Sequence, residues 1–185
     1  MSKTLDALIS CGPYEGALEE SIKELKYGFR KELAKPLARE LAIAWVRLPT
    51  KPDVITFIPM CAKDQEWRCF NHAELLAQEL SVIVKVPAKA LLRKCKETAY
   101  QSNLNPIARA LNVRDCFELA DGVDVAGKRI VIVDDICCSG ATMLEAARVL
   151  KDAGAKRVYG LCCAESVHRP EIVRRIRERW PDFGK

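Results

Sequence analysis

The chain has 185 residues, 49% of them apolar and 30% charged, with a formal net charge of +5. These values fit one soluble domain with a real core, and no apolar stretch approaches the roughly 20 residues that a membrane helix needs. The charge suits a protein that handles polyphosphates or nucleic acid and is too small to establish either.

In chain order, the first residues lack a basic region followed by a long apolar one, so no signal peptide is expected and the location reads as cytoplasmic. Tyr14–Tyr27 is an amphipathic helix with Leu18, Ile22 and Leu25 at helical spacing and Gly28 at its end. A second helix covers Glu32–Trp45, with Leu33, Leu37, Leu41 and Trp45 on one stripe and Pro36 marking its first turn. Val54–Ile58 is a β run. Asn71 caps a third helix, with Glu74 three residues on as in a capping box. Ser81–Val86 reads as another strand. Arg93–Arg114 is polar and reads as a long loop with some helix, of a length that is usually functional or disordered. Phe117–Leu119 is a short strand, and Asp121-Gly122 and Ala126-Gly127 are turns.

Ile130–Thr142, IVIVDDICCSGAT, is the most informative stretch. Four apolar β-formers predict a buried parallel strand. Asp134 and Asp135 follow at its carboxyl end, where open α/β sheets bind ligands. Ser139, Gly140, Ala141 and Thr142 turn the chain into the next helix, whose first N–H groups sit at the positive end of its dipole and suit a phosphate monoester. Carboxylates beside a phosphate cradle point to a sugar phosphate. The helix runs to Asp152 and stops at Gly154. Arg157–Cys163 is the next strand. Pro170–Trp180 is a terminal amphipathic helix, and residues 168–185 carry six cations against three acids. Alternating strands and helices predict a parallel sheet covered on both faces.

Nine cysteines in a cytoplasmic chain argue against a disulfide framework, and no C-x-x-C pair is present, so no zinc is expected. Most of these thiols are expected to be small buried hydrophobes. His72 and His168 read as a polar contact and a turn residue.

Ile130–Thr142 resembles the 5-phosphoribosyl-1-pyrophosphate (PRPP) motif of type I phosphoribosyltransferases, in which four apolar residues precede two acids and a Thr/Ser-Gly-x-Thr loop. Three other segments are similar to one branch of that group, the ComF family of competence-associated proteins. They are Tyr14-Glu15-Gly16 with Ile22, Leu25, Lys26 and Tyr27; Pro59 followed by Arg68 to Leu76; and Arg93, Lys94, Lys96, Thr98 and Gln101 with Asn112-Val113 and Phe117 beyond. The resemblance covers about residues 14 to 164. Three departures stand out. The cysteine-rich zinc ribbon of many relatives is lacking, and Cys11 has no partner at ligand spacing. Cys69 replaces a family glycine and would be strained at positive φ. Cys138 stands where Thr or Asp is usual, and a thiol is a weak donor.

The resemblance implies an α/β type I phosphoribosyltransferase fold in one domain: a small helical N-terminal hood (about 1–50), a core (about 51–164) and a basic C-terminal helix (about 168–185). It implies PRPP bound with magnesium, the ion held through PRPP and water rather than directly by the protein, and phosphoribosyl transfer to an unidentified nitrogen acceptor with release of pyrophosphate. Asp134 and Asp135 would take the ribose hydroxyls, and Cys138, Ser139, Gly140, Ala141 and Thr142 the 5-phosphate. Arg93 and Lys96 would act from a closing catalytic loop, and Lys63 and Arg68 on the pyrophosphate side. The alternative is a PRPP-responsive module without turnover in single-stranded DNA uptake, with the C-terminal arginines and Trp180 as a contact surface. A homo-oligomer is compatible with either role, and no membrane insertion is expected.

Overall fold

The computed structural model describes residues 4–60, 69–95 and 112–167. Its strands are β1 (Ala7–Pro13), β2 (Val54–Phe57), β3 (Leu92–Lys94), β4 (Phe117–Leu119), β5 (Arg129–Cys137) and β6 (Arg157–Glu165). Its α-helices are α1 (Gly16–Tyr27), α2 (Ala34–Trp45), α3 (His72–Val84) and α4 (Ala141–Asp152), with a 3₁₀ turn at Lys31–Leu33. Four parallel strands form the main sheet in the order β1-β6-β5-β2, and β3 and β4 form a small antiparallel pair.

The period of two in β5 sorts the core. Val131 and Val133 face one side, where they join Ile22 and Leu25 of α1, Leu37 and Leu41 of α2, and Leu76 and Leu80 of α3. Ile130 and Ile132 face the other, against Met143, Ala146, Ala147 and Leu150 of α4 and against Leu92 and Phe117 of the small sheet. All four β5 residues are fully buried, as expected for a strand covered on both faces. Gly160 in β6 suits this packing. A Cβ there would lie 2.7 Å from Leu8 Cδ1 and 2.8 Å from Met143 Cγ, so β1 and α4 close over β6 only where no side chain stands.

The connections run in opposite directions from the neighbouring strands β5 and β2. From β5 the chain passes through α4 to β6. From β2 it passes through α3 to Ala88, which bridges Ile55 in parallel on the side away from β5. The crevice at the carboxyl ends of β2 and β5 is therefore the topological switch point, the place where ligands enter such sheets.

Two expectations need correction. Ser81–Val86 is not a strand: α3 continues to Val84 and ends with Lys85 in the left-handed conformation at φ 57°. Burial of Leu76, Ala77 and Leu80 and the Asn71 cap hold the helix through a β-branched run, leaving Val82 and Ile83 65% and 44% exposed. Tertiary packing overrides local propensity here, and strand pairing moves on to Pro87–Lys89, which bonds to both sides of Ile55. The second helix starts at Ala34 rather than Glu32, with Pro36 inside its first turn, where a missing N–H costs nothing. The cysteines also divide more evenly than expected. Cys116, Cys137, Cys162 and Cys163 are buried, whereas Cys69, Cys95 and Cys138 are exposed. β1 was not foreseen at all. The terminal basic helix and His168 lie outside the described residues.

Candidate functional site

Asp134 and Asp135 are the last polar pair of β5 and stand at the switch point. The backbone N–H of Asp135 donates to Asp134 Oδ1 at 2.9 Å, which fixes the first carboxylate against the chain. The second is held from above. Lys26, near the end of α1, places its Nζ 2.8 Å from Asp135 Oδ1, and the two side chains keep only 14% and 12% of their exposure. Burial alone would lower the Lys26 ammonium, but Asp135, and Asp134 beyond it, outweigh that and raise its pKa. Among the described residues, Asp134 forms no such ion pair. Burial first, and the neighbouring Asp135 carboxylate second, push it well above the usual carboxylate range. The site therefore holds one ion-paired carboxylate beside one that resists ionisation.

Next to the acids the chain turns sharply. Gly140 has φ 84° and ψ 0°, a left-handed conformation that an L side chain adopts at a cost, and it offers no side chain to cap α4. Ser139 Oγ accepts the N–H of Ala141 at 3.1 Å, and the N–H of Leu144 closes the first turn on Gly140 O at 2.8 Å. Cys138 is exposed, and Ser139 and Thr142 are partly buried. The positive end of the α4 dipole thus lies at the turn that follows the two acids.

The β2 side is fixed by Asn71. Its Oδ1 accepts the N–H groups of Ala73 and Glu74, capping α3, while Nδ2 donates to Ile58 O at 3.0 Å. One residue thereby ties the end of β2 to α3. Cys69, just before it, sits at φ 62°, so the strain anticipated from the family glycine is present. His72 is buried, and its ring meets Phe70 edge-on at 4.9 Å.

Of the residues singled out from sequence, Asp134, Asp135, Ser139, Gly140, Ala141 and Thr142 come together at the β5–α4 turn, with Cys138 beside them. Arg93 lies on β3, where its guanidinium meets Glu118 at 3.0 Å and Asp121 at 3.5 Å. Lys63, Arg68 and Lys96 lie outside the described residues. Lys26 carried no role in the sequence reading. Its signal was there to be found: it falls four residues after Ile22 and next to Leu25, on the buried stripe of α1, and a lysine on an apolar face needs a partner. Among the described residues, no three His, Cys, Asp or Glu side chains gather into a metal cage, and no helix is long and apolar enough to cross a membrane.

A family model for the phosphoribosyl transferase domain matches residues 68–176. The chain is 31% identical over 167 residues to the DNA utilization protein YhgH of Escherichia coli K12, covering 86% of this chain and 72% of the relative. It is 28% identical over 169 residues to competence protein F of Haemophilus influenzae, covering 86% and 73%. Among solved structures, the glutamine PRPP amidotransferase of B. subtilis superposes with a TM-score of 0.53 at 19% identity, over 85% of this chain. This chain spans 37% of that one. Adenine phosphoribosyltransferase of Leishmania donovani gives 0.50 at 14% identity, over 98% of this chain and 81% of the other. Such distant structural likeness shows the fold, and the sequence relatives narrow it: the chain belongs to the ComF family of type I phosphoribosyltransferases.

Proposed function

We propose that this protein binds PRPP at the carboxyl end of β5 and transfers its phosphoribosyl group to a nitrogen acceptor, with release of pyrophosphate. The observation that carries this is the juxtaposition of a buried and a partly buried aspartate with a glycine-capped helix start at the switch point of the sheet. Asp134 and Asp135 would accept hydrogen bonds from the ribose hydroxyls. The first N–H groups of α4, with Ser139 and Thr142, would donate to the 5-phosphate. In the transfer, the acceptor's lone pair forms the C1–N bond while the C1–O bond to pyrophosphate breaks. The bonding electrons leave on pyrophosphate, and the nitrogen's proton passes to water or a base. Holding the ring by its hydroxyls and its 5-phosphate leaves C1 as the free reacting atom.

Magnesium suits this donor set. The ion is commonly held by one or two carboxylates together with substrate phosphates, and Asp134 and Asp135 would orient it through water. When bound, it neutralises charge on the departing pyrophosphate. We extend to Arg93 and Lys96 a role in covering the pyrophosphate, and to Lys63 and Arg68 one on its far side. The proposal places the protein in the cytoplasm.

The test is pyrophosphate release from PRPP and magnesium in the presence of a panel of nitrogen acceptors, with Asp134→Asn/Asp135→Asn as control. Release that needs an acceptor and is lost in the control supports transfer, and no release with any acceptor removes the transferase half. The names of the relatives speak of DNA utilization and competence, and we extend them to a second reading, a PRPP-responsive module that handles single-stranded DNA. It requires binding to single strands that weakens steeply with salt and with Arg174→Ala/Arg175→Ala. Binding indifferent to both would remove it.

A further inference from the structure

Two carboxylates on adjacent residues repel unless a cation or hydroxyl donors stand between them. The protein meets this before any ligand arrives. Lys26 reaches down from α1 and puts its ammonium 2.8 Å from Asp135 Oδ1, in a place nearly closed to water. It is not a loosely placed surface lysine. Ile22 and Leu25, one turn and one residue before it, are fully buried against the sheet. The chain entering α1 is pinned where the N–H of Tyr14 bonds to Glu165 O at 2.8 Å, at the carboxyl end of β6. The ammonium is therefore delivered by a docked helix to one carboxylate oxygen. Tyr14, Tyr27, Cys137 and Cys163 surround the acids and this lysine, and none of them adds a second cation.

We propose that Lys26 is a built-in cation for the acid pair, occupying beside Asp135 the place a divalent ion would need, so that magnesium enters only together with the sugar phosphate. The first half stands on the geometry alone. The second rests on the proposed function. A tethered ammonium has a high effective concentration at its partner, and magnesium gives up water reluctantly. The free ion thus gains little by displacing Lys26. Sugar phosphate changes this balance, because its pyrophosphate supplies the remaining oxygens and its hydroxyls supply donors to the carboxylates. Lys26 acts here as a positioning residue for the acids.

The test is thermal unfolding of metal-free protein with and without millimolar magnesium chloride at matched ionic strength, with no PRPP present. Wild type and Lys26→Arg should show no magnesium-dependent shift. Lys26→Met should start lower and gain about 5 °C with magnesium, as expected for an ion well above its dissociation constant. Lys26→Met/Asp135→Asn should lose that gain. A magnesium shift in wild type equal to that in Lys26→Met, or none in Lys26→Met, overturns the proposal. Should Lys26→Met fail to fold, calorimetric titration of wild type with magnesium alone decides: heat of binding overturns the proposal, and its absence, with heat appearing in Lys26→Gln, supports it. A parallel PRPP titration separates the two claims. A magnesium gain in Lys26→Met without PRPP binding to wild type keeps the built-in cation and removes the sugar-phosphate reading. PRPP binding without that gain does the reverse.

Discussion

The Lys26–Asp135 pair can be measured by a double-mutant cycle in metal-free buffer. At 2.8 Å and an effective dielectric constant of about 20, the gross attraction is about 6 kcal/mol, of which desolvation of the two ions offsets a large part. Removing one partner of a buried pair costs about 3–5 kcal/mol. The small residual exposure of these side chains puts Lys26→Met at the lower end, about 3 kcal/mol. There is also a ceiling. A stranded carboxylate can take a proton, which at pH 7 costs about 4 kcal/mol from an ordinary value near 3.9. A domain of this size should lose about 6–12 °C in Tm. Asp135→Asn alone leaves the ammonium buried and should cost a similar amount. The double variant Lys26→Met/Asp135→Asn buries neither charge and should lose less than the sum of the two single losses, with a coupling of about 2 kcal/mol by urea unfolding. Single effects that add to within about 0.5 kcal/mol would refute the pairing.

Glu145 is 3% exposed and joins α4 to the turn before β4, accepting the N–H of Asp115 at 2.9 Å and Arg148 Nη2 at 2.6 Å. Glu145→Ala should cost about 3 kcal/mol by chemical unfolding, and a loss under about 1 kcal/mol would contradict this role. Asp53 is hydrogen-bonded by the Arg129 side chain and N–H across the amino ends of β2 and β5, which holds its carboxyl down at about 2 against an ordinary 3.8. A lowered acid stabilises above its unfolded value and loses that contribution as pH falls through the folded one, so the effect fades between about pH 4 and pH 2. The pair is well exposed, so it is worth under about 1 kcal/mol. Asp53→Asn should flatten the acid limb of stability in that window, and an unchanged limb would count against it. Cys69 at φ 62° should gain about 1 kcal/mol on Cys69→Gly, and a loss of stability there would show that the turn is unstrained.

The part of the site that lies along one stretch of chain was legible before folding. Ile130–Val133 is apolar at every position because both faces are covered, and the acids, Gly140 and the helix start follow it directly. Asn71 announced itself as a cap by its spacing to Glu74. Its second bond, to Ile58, joins elements 13 residues apart and has no local signature. The same holds for Lys26. Its partner lies far along the sequence, and its place on an apolar helix stripe within a family-like segment is what betrays it. β1 went unseen because Ser10, Cys11 and Gly12 interrupt its apolar pattern, although the strand is held by β6 at the sheet edge. Val82–Val84 misled in the opposite sense: a β-branched run carries strand propensity, yet the cap and the buried Leu76 and Leu80 commit the segment to helix.

The central claim, that the β5–α4 turn is a sugar-phosphate site, is tested most directly by calorimetric titration of PRPP with magnesium into wild type and into Asp134→Asn/Asp135→Asn. Saturable binding to wild type that the folded double variant loses is the expected result. Equal binding to both, or no binding to a folded wild type, would contradict it.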